Sequence, residues 1–312
     1  MTGARQRSIV VAGEALIDLV LDDGGALAPH PGGGPFNAAR TIGRLEQPVR
    51  YLGRLSSDRF GALLRDELLA DGVNLDAAVA TDDPTTLALA ELDAGGGATY
   101  RFYFEETSAP GLTPADTEGV LDDAAVLYVG TLGLVLEPMA STLEALVGSA
   151  PADVLVALDP NCRPAVIDDP AAYRARLARM LARSDVVKAS EDDLAWLSPG
   201  SAPAEAARTL LAQGPRVALV TLGPAGALVV TGEDEVEVPA PAVEVVDTIG
   251  AGDAFGGAFL ASWLRRGLTR DELADVATVV ETTRFACAVA ALTCARAGAS
   301  PPRLAELTDF SP

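Results

Sequence analysis

One α/β domain, a largely parallel sheet covered by helices, is the fold class this sequence predicts. Apolar strand-like runs alternate with helical stretches along most of the chain. The 312 residues, 49% of them hydrophobic, suffice for a sizeable core. No linker, low-complexity tract or internal repeat interrupts the alternation.

Residues 8–11 read as a buried strand, and 13–20 continue in extended style. Residues 30–35 form a Pro/Gly loop, 37–45 a helix, 49–52 a strand and 57–71 an amphipathic helix. Strand-like segments 85–92 and 99–104 flank Asp93-Ala94-Gly95-Gly96-Gly97, a hairpin signal. Strands at 125–129, 154–158, 186–188 and 217–221 then alternate with helices at 138–146, 171–182 and 204–211. Residues 227–230 and 235–238 make a further hairpin, and 239–246, rich in Val and Ala, read as a strand leading into a turn. The stretch 255–293 is mostly helical. Segments 14–30 and 85–104 interrupt the alternation and are expected to build a small β lid on a single domain, 1–312.

Charge and composition remove several function classes. Net charge is −21, which disfavours nucleic acid and anionic membrane surfaces as partners. It does not exclude an anionic ligand, since local N–H groups and one Arg can outweigh the global field. The chain has one histidine, His30, so a multi-His metal site is excluded. No glycine-rich loop ends in Gly-Lys-Ser/Thr, and no Gly-x-Ser-x-Gly elbow occurs. Cys162, Cys287 and Cys294 show neither metal spacing nor a disulfide framework, so reduced thiols and a cytoplasmic location are expected. The apolar run 9–21 is broken by Glu14 and Asp18 and has no signal-peptide or membrane-spanning profile.

The most informative stretch is Val245-Val246-Asp247-Thr248-Ile249-Gly250-Ala251-Gly252-Asp253-Ala254-Phe255. A small-residue turn opening a helix collects backbone N–H groups where the helix dipole also favours negative charge. A carboxylate set into such an anion site is electrostatically awkward. Asp253 therefore suggests a base that takes a proton from an attacking hydroxyl. An acidic N-cap is the plainer alternative. The residues from Asp247 to Phe255 resemble the C-terminal signature of the ribokinase-like (PfkB) carbohydrate kinases. The resemblance implies a ribokinase-like three-layer α/β/α sandwich with a small β-sheet lid. It also implies ATP-dependent phosphoryl transfer to a sugar hydroxyl.

Other motifs fall in the order that family shows, from Gly13 to Pro302. In Gly32-Gly33-Gly34-Pro35-Phe36-Asn37, the residues Gly33, Gly34 and Asn37 fit the family's sugar-binding edge. Asp18, an acid within an apolar run, falls where the family places a sugar-chelating Asp; on the residues alone it could face water from a strand. Asp159-Pro160-Asn161-Cys162-Arg163-Pro164 follows a strand end, where sites of open α/β sheets lie. It resembles the Asp-x-Asn-x-Arg-Pro element of fructokinases and 2-keto-3-deoxygluconate kinases, with Arg163 as a phosphate clamp. Lys188-Ala189-Ser190-Glu191 stands at the family's Asn-x-x-Glu, with Lys188 in place of Asn. Glu191 is the candidate for the water shell of Mg²⁺. Thr221, Gly223 and Gly226 resemble the nucleotide-side loop, and Gly298 the closing edge of the adenine pocket. Asp247 is the candidate for a monovalent cation, which leaves K⁺ dependence open.

The resemblance thus implies an enzyme that uses ATP and Mg²⁺, with D-fructose as the expected acceptor. Asp253 would act as base, with the N–H groups of Gly250, Ala251 and Gly252 and the Arg163 side chain on the transferred phosphoryl. A 2-keto-3-deoxygluconate kinase, a nucleoside kinase and a non-catalytic sugar-binding regulator stand as alternatives. Alternation in 99–104 puts Arg101 and Tyr103 on one face and Tyr100, Phe102 and Phe104 on the other. An inward Arg101 would suit a sugar acid and an inward aromatic face a neutral hexose. The neutral sugar is expected, and Tyr103 is included among the sugar contacts. Unpaired lid edges make a homodimer through the lid the expected assembly.

Overall fold

The structure is a computed structural model and describes residues 7–21, 27–92 and 98–307. The hairpin signal at 93–97, part of the first lid segment (22–26) and both termini lie outside the described residues.

An eight-stranded sheet forms the middle layer. Its strands are β1 (Ser8–Ala12), β4 (Val49–Leu52), β9 (Ala124–Gly130), β10 (Leu155–Asp159), β11 (Val186–Ser190), β12 (Val217–Thr221), β13 (Ala227–Val230) and β14 (Glu235–Val238). The spatial order is β14-β13-β12-β11-β10-β9-β1-β4. All pairs from β4 to β12 are parallel, and the last two strands add an antiparallel hairpin edge. Parallel strands buried on both faces should be apolar throughout, and β1, Ser-Ile-Val-Val-Ala, is buried along its whole length.

Strand alternation divides the core in two. Ile9 and Val11 of β1 point to one face, with α1 (Gly34–Arg44), α2 (Arg59–Ala70), α7 (Ala251–Arg265) and α8 (Val276–Cys294). Val10 and Ala12 point to the other, with α3 (Met139–Ser149), α4 (Pro170–Leu181), α5 (Glu191–Leu197) and α6 (Pro203–Leu211). The result is three layers, α/β/α. Helix α8 is long and apolar enough by composition to cross a membrane, yet it packs in this core against α7. Phe255, Phe259 and Trp263 recur at helical spacing on α7 and are fully buried. Truncating one of them to Ala costs about 3–5 kcal/mol. That packing holds the N-terminus of α7 in place.

A four-stranded sheet, β3-β2-β7-β8, lies over the carboxyl ends of the main strands. It comprises β2 (Leu16–Leu21), β3 (Leu27–Gly32), β7 (Leu87–Leu92) and β8 (Ala98–Tyr103). A further two-stranded sheet joins β5 (Arg54–Ser56) to β6 (Val79–Thr81).

Four readings are corrected. Residues 30–32 belong to β3 and pair with β2, so the Pro/Gly stretch is not a loop there. Helix α1 starts at Gly34 rather than at 37, so Asn37 lies inside its first turn. Residues 239–249 form no strand; Pro239 and Pro241 break the ladder, and Val245 and Val246 are exposed. Helix α7 begins at Ala251 after Gly250, whose φ of 74° is left-handed and favours glycine, so Asp253 sits in its first turn.

Candidate active site

The order of the parallel strands reverses between β1 and β9, and the crevice above that point is where open α/β sheets bind ligands. A cleft of about 630 Å³ opens there, between the main sheet and the lid. Asp18, Gly33, Gly34, Asn37, Arg163 and Lys188 line it, with Glu191, Thr221, Gly223, Gly250, Gly252 and Asp253. These residues lie far apart in sequence, and the carboxyl ends of the strands bring them together.

Asp253 is the buried centre of the cleft. Its Oδ2 accepts a hydrogen bond from Asn37 Nδ2 at 2.9 Å. Burial pushes its pKa up to about 6, against the Asn37 hydrogen bond and the Lys188 charge. It can therefore be ionised at neutral pH and still accept a proton readily, as a general base requires.

Lys188 lies against the same turn. Its Nζ is 2.9 Å from Asp159 Oδ2, and both side chains are buried. Tyr128 donates to that same oxygen at 3.1 Å. Burial disfavours the ammonium, but the carboxylates of Asp159, Asp193 and Asp253 overcome it and hold the Lys188 pKa above the ordinary lysine value. A Cβ on Gly252 would come within 3.1 Å of Nζ, so glycine lets the ammonium approach the helix N-terminus. The ammonium and the N–H groups of the helix N-terminus face one space, which suits an anionic group bound between them.

The lid side carries Asp18 on β2. Burial pushes its pKa up to about 6, opposed by the Arg163 guanidinium across the cleft. Arg163 is exposed on the loop after β10, and its charge acts on both Asp18 and Asp253. Tyr103, expected among the sugar contacts, is 53% exposed and does not line the cleft. Alternation along β8 turns Phe102 inward instead, which corrects that assignment.

An apolar slot of about 540 Å³ adjoins the cleft across Thr221, Gly223, Thr248 and Gly252. Gly226, Ala251, Phe255 and the 240–245 segment line it, with Cys287 and Cys294 on α8. A flat, apolar base beside a phosphate-sized anion site would suit this slot. Gly298 lines neither space. Its N–H donates to Asp247 Oδ2 at 2.8 Å, while Ile249 N–H donates to Asp247 Oδ1 at 3.0 Å. Asp247 thus ties the turn to the C-terminal loop.

The pfkB family carbohydrate kinase model matches residues 6–306. The chain belongs to the PfkB family of carbohydrate kinases. Among curated relatives, a fructokinase of Rhizobium leguminosarum bv. trifolii is 38% identical over 81% of this chain and 79% of its own. A fructokinase of Xylella fastidiosa, solved with bound ATP, superposes with a TM-score of 0.90 at 30% identity, covering 98% of each chain. The fructokinase of Vibrio cholerae O395 in fructose, ADP and calcium ion bound form gives 0.86 at 26% identity, covering 98% of this chain and 99% of that one. The fold of this PfkB kinase is therefore ribokinase-like.

One cleft residue of the kinase, Thr131, carries no local signal, and the pairing of Asp159 with Lys188 beneath the cleft arises only where strand ends meet. Glu14 does leave a trace, an acid in an apolar run four residues before Asp18.

Proposed function

We propose that this PfkB kinase, acting as one domain with a lid, transfers the γ-phosphoryl group of ATP to the 6-hydroxyl of D-fructose. The observation that carries the reading is a buried carboxylate, Asp253, set in the first turn of α7 where a helix N-terminus and Lys188 face the same space. A reaction that needs both a base and an anion cradle accounts for that combination.

Asp253 takes the proton of the acceptor hydroxyl as its oxygen attacks the γ-phosphorus and the bond to the ADP oxygen breaks. The N–H groups of Gly250, Ala251 and Gly252, with the Lys188 ammonium, stabilise the charge on the transferred phosphoryl. Arg163, whose charge reaches Asp18 and Asp253, clamps the transferred phosphoryl. Asp18, Gly33, Gly34 and Asn37 hold the sugar hydroxyls, and the lid excludes water. Magnesium carried on the nucleotide phosphates would add positive charge there, and Glu191, exposed in the cleft, fits its water shell. Asp247 and the loop it ties are the proposed monovalent-cation site. The free thiols suit the cytoplasm. Strands β3 and β8, the open edges of the lid, are proposed to pair two copies into a homodimer.

A neutral sugar is favoured over a sugar acid because Phe102, and not Arg101, lines the cleft. An ADP-release assay over fructose, 2-keto-3-deoxygluconate and nucleosides tests the reading. Fructose is expected to lead 2-keto-3-deoxygluconate by at least about tenfold in kcat/KM, roughly 1.4 kcal/mol. A preference for the acid that collapses in Arg101→Ala would establish the other substrate.

A further inference from the structure

Glu14 is buried in the turn after β1, on one side of the switch point between β1 and β9. Its Oε1 accepts from Gly34 N–H at 3.1 Å and from the Thr131 hydroxyl. Thr131 follows β9 on the other side of the switch point and has φ 54°, a left-handed conformation costly for a β-branched residue. Its methyl group packs on Gly34, where an added Cβ would come within 2.4 Å of it. One carboxylate oxygen therefore joins the two strand ends to the start of α1. That helix also carries Asn37, which holds Asp253.

Among the described residues Glu14 has no ion-pair partner that would explain a buried acid. The charged or titratable groups acting with it are Asp253 on α7, Tyr51 on β4 and Tyr128 on β9. Its Oε2 is buried and has no hydrogen-bond partner among the described residues. A buried carboxyl without a cation is costly as scaffold, and packing alone would be served better by an apolar side chain. What an apolar side chain cannot supply is an acceptor for Gly34 N–H and the Thr131 hydroxyl together.

We propose that Glu14 is a positioning residue of the reaction: by clamping the Gly33–Gly34 turn to Thr131 it sets where the acceptor hydroxyl lies relative to Asp253. The inference rests on the sugar-kinase reading above, because the turn it holds is the proposed sugar-binding turn. It adds to that reading a residue that touches no substrate and acts through the turn.

The test compares wild type, Glu14→Ala, Glu14→Gln and Thr131→Val in ADP release with fructose and ATP, together with melting temperatures. Glu14→Ala is expected to raise the fructose KM about tenfold and lower kcat about tenfold, with the ATP KM within about twofold of wild type. Glu14→Gln keeps an acceptor at Oε1 and is expected to recover most of that loss. Thr131→Val, which removes one of the two donors, should show the same split at smaller size. Equal rises in both KM values, or kinetics that follow only the melting temperature, would overturn the proposal. So would wild-type fructose kinetics in Glu14→Ala. If Glu14→Ala does not fold, Thr131→Val decides: unchanged fructose KM and kcat would overturn it. Wild-type inactivity on fructose would instead fail the substrate reading, and the same four proteins would then be compared on the best acceptor of the panel.

Discussion

Asn37 and Asp253 are joined by a 2.9 Å hydrogen bond between residues 216 positions apart, so the first helix of the chain orients the proposed base on the seventh. The bond favours the ionised carboxylate and opposes the upward push of burial. Asn37→Ala is expected to lower kcat about tenfold and to move the acid limb of the kcat pH profile upward from near pH 6, because Asp253 then holds its proton to higher pH. An unmoved acid limb would show that Asn37 does not tune Asp253.

Lys188 and Asp159 separate stability from nucleotide use. Lys188→Met leaves the buried Asp159 carboxylate without its cation, which costs about 3–5 kcal/mol. Adding Asp159→Asn removes that uncompensated charge, so the double variant should melt well above the single one. The ATP KM should stay raised in both, since the ammonium beside Gly252 is still missing. Recovery of the ATP KM together with stability would assign Lys188 a purely structural part.

Asp18 links the proposed sugar site to pH-dependent stability. Its folded-state pKa, about 6, lies above the ordinary aspartate value, so the folded protein binds more protons than the unfolded chain between about pH 4 and 6. Stability from this group is complete below that window and is lost as the pH rises through it. Asp18→Asn abolishes the loss, about 1–3 kcal/mol, so its melting temperature should gain a few degrees on wild type between pH 4 and 8. The same variant should raise the fructose KM far more than the ATP KM. Melting curves that stay parallel across that range would contradict the assignment.

How much the sequence disclosed depended on how local each feature is. The Gly250-Ala251-Gly252-Asp253 turn is legible because its acid, glycines and helix start are contiguous. The alternation of buried runs gave the main sheet for the same reason. Only the end of β3, 30–32, reads as a loop, because Pro31 stands beside Gly32; a strand tolerates proline at a sheet edge, and β3 is the lid's edge. The segment 239–246 has strand composition but spends its apolar residues on the wall of the slot beside α8. Tyr103 shares the outward Arg101 face of β8, so counting it among the sugar contacts conflicts with the inward aromatic face that the neutral-sugar expectation itself requires. Glu14 and Thr131 meet only because two strand ends 117 residues apart flank the switch point.

The most direct test is kcat of Asp253→Asn with fructose and ATP. The amide keeps size and hydrogen bonding while losing the basic oxygen. The account predicts a fall of at least about 10²-fold with the fructose KM little changed. A folded variant with near-normal kcat would remove Asp253 from the role of base and contradict the account.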